Sequence, residues 1–151
     1  MPGRDWRQWV VARRIPILFA LILALAATLR FIGLDWDQHT HLDPDERFLT
    51  MVESAMQMPS SFSQYLDEAH SPLNPRNVGY GFFVYGTLPT TIIRVVAAAV
   101  NQIGYDQVYL VGRALSALFD IGSIVFLFLL ARRLYRDNRV ALLASFLLAT
   151  S

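Results

Sequence analysis

The chain has no cysteine and no lysine, and only 17% of its 151 residues are charged. Without cysteine, disulfides and thiolate metal sites are excluded, and no redox compartment can be read from thiol usage. All positive charge outside the three histidines rests on arginine. The net charge of +1 argues against nucleic-acid partners, which call for a basic surface. No internal repeat and no low-complexity tract is present.

What the chain has in abundance is apolar sequence: 54% hydrophobic residues, with a mean hydropathy of +0.38. These residues come in long blocks, the pattern of membrane helices. The expected architecture is all-α: a multi-pass membrane helix bundle with an extracytoplasmic loop carrying interfacial helices. Residues 1–151 read as the N-terminal part of one membrane domain, because the apolar run from Val140 to Thr150 looks like the first half of a further span.

The first span is expected over 15–34, where twenty helical residues reach about 30 Å, one hydrocarbon thickness. Arg30, near its end, can snorkel to the interface. Arg4, Arg7, Arg13 and Arg14 precede it, so the positive-inside rule puts the N-terminus in the cytoplasm. Ala24-Leu25-Ala26 resembles a signal-peptidase site, but the apolar run continues past it and further spans follow. The second span is expected over 108–131. Arg132, Arg133, Arg136 and Arg139 follow it, marking that end as cytoplasmic too. Two basic clusters on one side require an even number of crossings between them. The apolar stretch Phe82 to Ile103 is therefore read as a helix lying at, or dipping into, the outer face. Pro89 and Arg94 within it fit that reading better than a full crossing. Residues 35–107 become a loop on the extracytoplasmic side, too long for a plain connector, and it carries most of the acidic residues.

At the start of that loop lies His41-Leu42-Asp43-Pro44-Asp45-Glu46-Arg47. Asp43 reads as an N-cap, Pro44 as the first helical residue, and Glu46 falls at the capping-box position. Capping and the helix dipole alone can account for all three carboxylates. Phe48, Leu49, Val52, Ala55 and Met56 then fall on one face, and Met58-Pro59-Ser60-Ser61 ends the helix. At about 100° per residue Asp45 points along the centre of that apolar stripe, with Glu46 at its edge. A carboxylate on a buried face is costly unless paired or used, and burial would make it a better base. Asp45 and Glu46 are thus the candidate catalytic pair.

Oxygen ligands at Asp45 and Glu46 would also suit a divalent cation. The spacing of His39 and His41 matches no metal motif, so both read as surface residues of a polar loop. Further on, Ser71-Pro72-Leu73-Asn74-Pro75-Arg76 is a turn-rich stretch leading into Tyr80-Gly81-Phe82-Phe83-Val84-Tyr85-Gly86. It reads either as an ordinary loop with aromatic belt residues or as a substrate contact. In the second reading Arg76 meets a phosphate or sugar, with Tyr80 and Tyr85 beside it. In the second span Arg113, Ser116, Asp120 and Ser123 share one face, and a structural Arg113–Asp120 arrangement, locking this helix to its neighbours, is expected rather than a catalytic role.

The order of these features resembles the N-terminal part of the multispan glycosyltransferases of the C-type superfamily. The nearest types are the protein O-mannosyltransferases of family 39 and the lipid A aminoarabinose transferases. The resemblance runs from Ile15 onward, through the Pro-Asp-Glu cluster, Ser-Pro-Leu-Asn-Pro and Ala131-Arg132-Arg133-Leu134-Tyr135. It implies transfer of a sugar from a polyprenyl-phosphate donor to a lipid, glycan or protein acceptor at the outer membrane face, with inversion. It places the essential acid at Asp45, as general base or metal ligand, with Glu46 completing the pair. It gives Arg76 a place near the donor phosphate, although the surrounding stretch departs from the family's Pro-Pro-Leu. It also implies about a dozen spans in the whole enzyme. The alternatives are a transporter or a subunit that only binds polyprenyl lipids. A charged cluster outside the membrane disfavours the transporter, whose site would lie near the midplane.

Overall fold

The structure, a computed structural model, describes the backbone of residues 6–151 and side chains from residue 13 onward. Among the described residues it is helical, without strands. The helices are α1 (Trp6–Phe31), α2 (Pro44–Ala55), the short α3 (Phe62–Leu66), α4 (Thr87–Ala99), α5 (Tyr105–Tyr135) and α6 (Asn138–Ala149), with a 3-10 turn at Pro75–Val78. They form two compact units. One comprises the described residues up to Gly33 together with Ser116–Ser151, and the other is Leu34–Leu115.

Among the described residues, two helices are long and apolar enough to cross a membrane: α1 over Arg13–Phe31, and α5. From Ile15 to Leu29 helix α1 carries no charge and is apolar on all sides rather than on one face, as expected of a helix surrounded by hydrocarbon or protein. It stops at Phe31 instead of reaching Leu34, because Gly33 takes the left-handed conformation (φ 68°) that commonly closes a helix. Helix α6 has 12 residues, about 18 Å at helical rise, and starts at Asp137, whose side chain accepts from the Arg139 N–H.

The unit containing α1 and α6 closes on small residues. Ala26, Ile124 and Ala149 form one cluster, and Phe128, Ala131 and Ala141 another. Phe19 stacks on Phe128 at 4.1 Å between ring centroids. Small side chains let helix backbones approach closely, the packing mode of membrane helices. Arg30 does not snorkel. Its guanidinium pairs with Asp120 and donates to the Leu148 and Ala149 carbonyls, at 2.9 and 2.8 Å. Those carbonyls end α6 and lack intrahelical partners, so one arginine satisfies a carboxylate and a helix terminus together. The structural arrangement expected at Arg113 and Asp120 is of this kind at Asp120, which pairs with Arg30 of α1.

The Leu34–Leu115 unit has two apolar clusters. Val52, Met56 and Leu73 gather Phe48, Val78, Tyr80 and Phe83 around them. Ala97, Val108 and Val111 gather Ile93, Val96 and Leu115. The helix expected over Phe82 to Ile103 is only α4, 13 residues long. That is about 20 Å, short of a hydrocarbon thickness. Residues 82–86 are outside it because Gly86 (φ 78°) turns the chain at its N-cap. An L-residue there would be strained. Pro89 lies in the first turn of α4, where a missing N–H costs nothing.

Candidate functional site

Helix α2 begins as its sequence dictates. The Asp43 side chain accepts from the N–H groups of Asp45 and Glu46, at 2.9 and 3.0 Å, and Pro44 is the first helical residue. The apolar face is also as expected, with Val52 and Met56 fully buried.

The carboxylates themselves depart from expectation. Asp45 is exposed, whereas Glu46 is half-buried. The angular argument put Asp45 over the apolar stripe, but Cβ vectors tilt toward the helix N-terminus. In the first turn, that direction carries the side chain past the packed stretch. Asp45 there meets Tyr85, whose hydroxyl donates to Asp45 Oδ1 at 2.9 Å. The carboxylate beside it pushes the Tyr85 phenol up. Tyr85, Tyr80 and Phe83 all ring Phe48, at 5.8–6.4 Å between centroids. Two of the candidate substrate residues, Tyr80 and Tyr85, therefore share one aromatic cluster next to Asp45.

Glu46 does not fold back to complete the capping box. It reaches α5, where Arg113 grips it in a two-pronged pair: Nε to Oε1 at 2.7 Å and Nη2 to Oε2 at 2.6 Å. Arg113 Nη1 donates to Asp37 Oδ1 at 3.0 Å and to the Leu34 carbonyl at 2.7 Å. Tyr109 and Trp36 lie against the guanidinium, 4.7 and 5.5 Å from their centroids. The Asp37 side chain is fully buried, and the hydrogen bond from Arg113 holds its carboxyl below the ordinary range. Planar, five-donor arginine suits this junction, and charge-assisted bidentate pairs are the strong kind.

The loop 35–43 is pinned around the same helix. Tyr109 Oη lies 2.6 Å from Asp35 Oδ1 and 2.7 Å from His39 Nδ1. His41 is not a surface residue: it is buried between the rings of Tyr105 and Tyr109. Gln38, His39 and His41 all have positive φ, which costs free energy that only surrounding contacts can hold.

The same structure bears on a divalent cation. Both Glu46 oxygens carry a guanidinium, whose charge opposes a second cation, and Asp45 is turned to Tyr85. The Asp45–Glu46 pair does not fit a metal site. Among the described residues no group of three or more His, Asp or Glu gathers as ligands.

Arg76 is exposed and lines a cleft of about 520 Å³ with Phe83, Gly86 and Thr87. Asp45 and Tyr85 do not line that cleft.

Sequence reasoning missed Asp37, Tyr109 and the partners of Arg113. An arginine in an apolar helix demands a carboxylate, but nothing local says which. Reasoning also missed Glu53, which is buried one helical face away from solvent, with its Oε1 unpartnered. Arg94 is likewise buried with Nε and Nη1 unpartnered, and no ion pair links the two. Burial, and secondarily Glu46, push the Glu53 carboxyl up to about 8 from an ordinary 4.5.

Between those two pH values the folded protein holds a proton that the unfolded chain has lost. Stability therefore falls as pH rises toward 8. Melting of the full chain at pH 5 and pH 8 is expected to show a loss of several kcal/mol in the parent. In Glu53→Gln most of that loss should vanish, leaving the variant the more stable protein at pH 8. A variant with the parent's pH dependence would show that Glu53 does not titrate this way.

No family model, curated protein or solved structure matches the chain.

Proposed function

We propose that this chain forms part of a membrane glycosyltransferase that takes a sugar from a polyprenyl-phosphate donor to an acceptor hydroxyl at the outer membrane face. The observation that carries the reading is an exposed carboxylate outside any ion pair, held at a fixed point. Asp45 is held at the start of α2, steered by the Tyr85 hydroxyl, on a helix whose next residue is locked to α5 through Arg113. An aspartate so held can take the proton of an incoming hydroxyl as the new bond to the sugar carbon forms. The bond from that carbon to the phosphate breaks on the opposite face, which inverts the centre and releases polyprenyl phosphate. Glu46, with both oxygens engaged, is a positioning residue for Asp45 rather than a second base.

The membrane setting is part of the proposal. Helices α1 and α5 are the spans of a multi-pass bundle. The arginines in the first part of α1 and around the end of α5 put those ends in the cytoplasm, so that Leu34–Leu115 lies outside with α2 and α4 at the interface. Helix α5 is about 46 Å long, longer than one hydrocarbon thickness. Its first turns, with Tyr109 and Arg113, can stand in the interfacial region.

Residues 1–151 contain no cysteine, so a thiol placed among them reports sidedness once any cysteine elsewhere is replaced. A single Leu42→Cys label site (Leu42 is exposed) should react with an impermeant maleimide from outside intact cells. Membranes holding the full-length protein should also move labelled sugar from a polyprenyl-phosphate sugar onto an acceptor. Labelling from the cytoplasmic side only, or no transfer with any such donor, would sink the reading.

A further inference from the structure

The cleft beside Arg76 has chemistry that the transfer step does not use. It lies wholly within the Leu34–Leu115 unit, and its volume of about 520 Å³ is in the range of small-molecule sites. Tyr65 and Phe83 supply aromatic surface, and Glu68, Arg76, Thr87 and Thr91 supply polar groups. Two features single it out. Glu68 and Arg76 are opposite charges on one cleft, yet they form no ion pair with each other or with other described residues. Phe83 is also a wall common to two places. It lines the cleft and packs beside Phe48 and Tyr85, at 6.4 and 6.0 Å between centroids, and Tyr85 holds Asp45.

The donor and acceptor inventory selects the ligand. An ionised Glu68 only accepts hydrogen bonds, Arg76 only donates them, and the threonine hydroxyls do both. A phosphate offers acceptors only and would be repelled by Glu68. An amine offers donors only and would be repelled by Arg76. A small zwitterion would meet both charges but leave the Tyr65 and Phe83 faces and the threonine hydroxyls of the cleft without a partner. A vicinal diol donates to one and accepts from the other, while the apolar face of a sugar ring rests on an aromatic side chain.

We propose that this cleft binds a neutral saccharide through Glu68 and Arg76, with its ring against Tyr65 or Phe83. Its role as the acceptor subsite rests on the transferase reading; the binding does not. With an acceptor sugar in the cleft, the wall formed by Phe83 adjoins the aromatic cluster that borders Asp45.

The test is saturation-transfer NMR on the full-length protein in lipid nanodiscs, without glycoside detergents, using a panel of methyl hexopyranosides as probes. Irradiating aromatic protons should saturate ring protons of at least one probe. Glu68→Ala and Arg76→Ala should each weaken that binding at least tenfold. Both residues are exposed, so their loss leaves the fold intact. No response from any probe, or an equal response in both variants, overturns the proposal. Because binding is the readout, a protein without transfer activity that still gives this response loses the transferase reading alone. A protein that transfers sugar but gives no response loses the cleft alone.

Discussion

Asp45→Asn in the full-length protein is expected to lower the rate of sugar transfer by about 10²–10⁴, the usual contribution of a positioned general base. That corresponds to roughly 3–5 kcal/mol in the barrier. The substitution is a clean one. Asparagine keeps an oxygen that can accept from the Tyr85 hydroxyl, so the local hydrogen bond at 2.9 Å survives. The helix start survives too, because the capping side chain belongs to Asp43. Only the capacity to take a proton is lost. Binding of the donor lipid should stay at the parent level, since nothing that Asp45 touches is removed. Single-turnover rates and donor-lipid binding, measured on the same preparation, check this. A variant that turns over like the parent would reduce Asp45 to a solvated residue in the first turn of a helix.

Arg113→Met is expected to destabilise the Leu34–Leu115 unit by about 3–5 kcal/mol, the cost of removing one partner from buried ion pairs. Methionine keeps much of the length and the apolar stem but leaves Glu46, Asp37 and the Leu34 carbonyl without their shared donor. The Asp37 side chain has no exposure at all, so its charge cannot turn to water. Lysine should rescue little, because one ammonium cannot reproduce four hydrogen bonds aimed in one plane. If the loss is unpaired charge rather than packing, neutralising the partners should return part of it. Arg113→Met combined with Glu46→Gln and Asp37→Asn is expected to melt above the single variant. Thermal melting, with proteolysis within 34–115 as a second readout, decides it. An Arg113→Met protein as stable as the parent would show that the junction does not hold α2 to α5.

The sequence showed some features of this protein clearly and others not at all. The Asp43-Pro44 helix start, the apolar face through Val52 and Met56, and both long apolar helices are local patterns. Each is fixed by residues within a turn or two of one another, so periodicity and capping rules reach them. The shortening of the Phe82 to Ile103 helix was also locally encoded, in Gly86, but hydropathy outweighed it. The partners of charged side chains are another matter. Arg113 and Asp120 share one face of a single helix, which marks both as structural but does not say what each meets. Arg113 binds Glu46 and Asp37, 67 and 76 positions away, and Asp120 goes to Arg30.

By itself, then, the order of residues determined where helices start, which of them are long and mostly apolar, and that residues 1–151 offer no thiol. Only the tertiary structure decided which acid stands free and which is clamped, that His41 and Glu53 are buried, and that Tyr85 meets Asp45 across 40 positions. The reason is range. Backbone capping and helical period act over a few residues, whereas the choice among several arginines and a dozen acids is made by packing, after the helices have met.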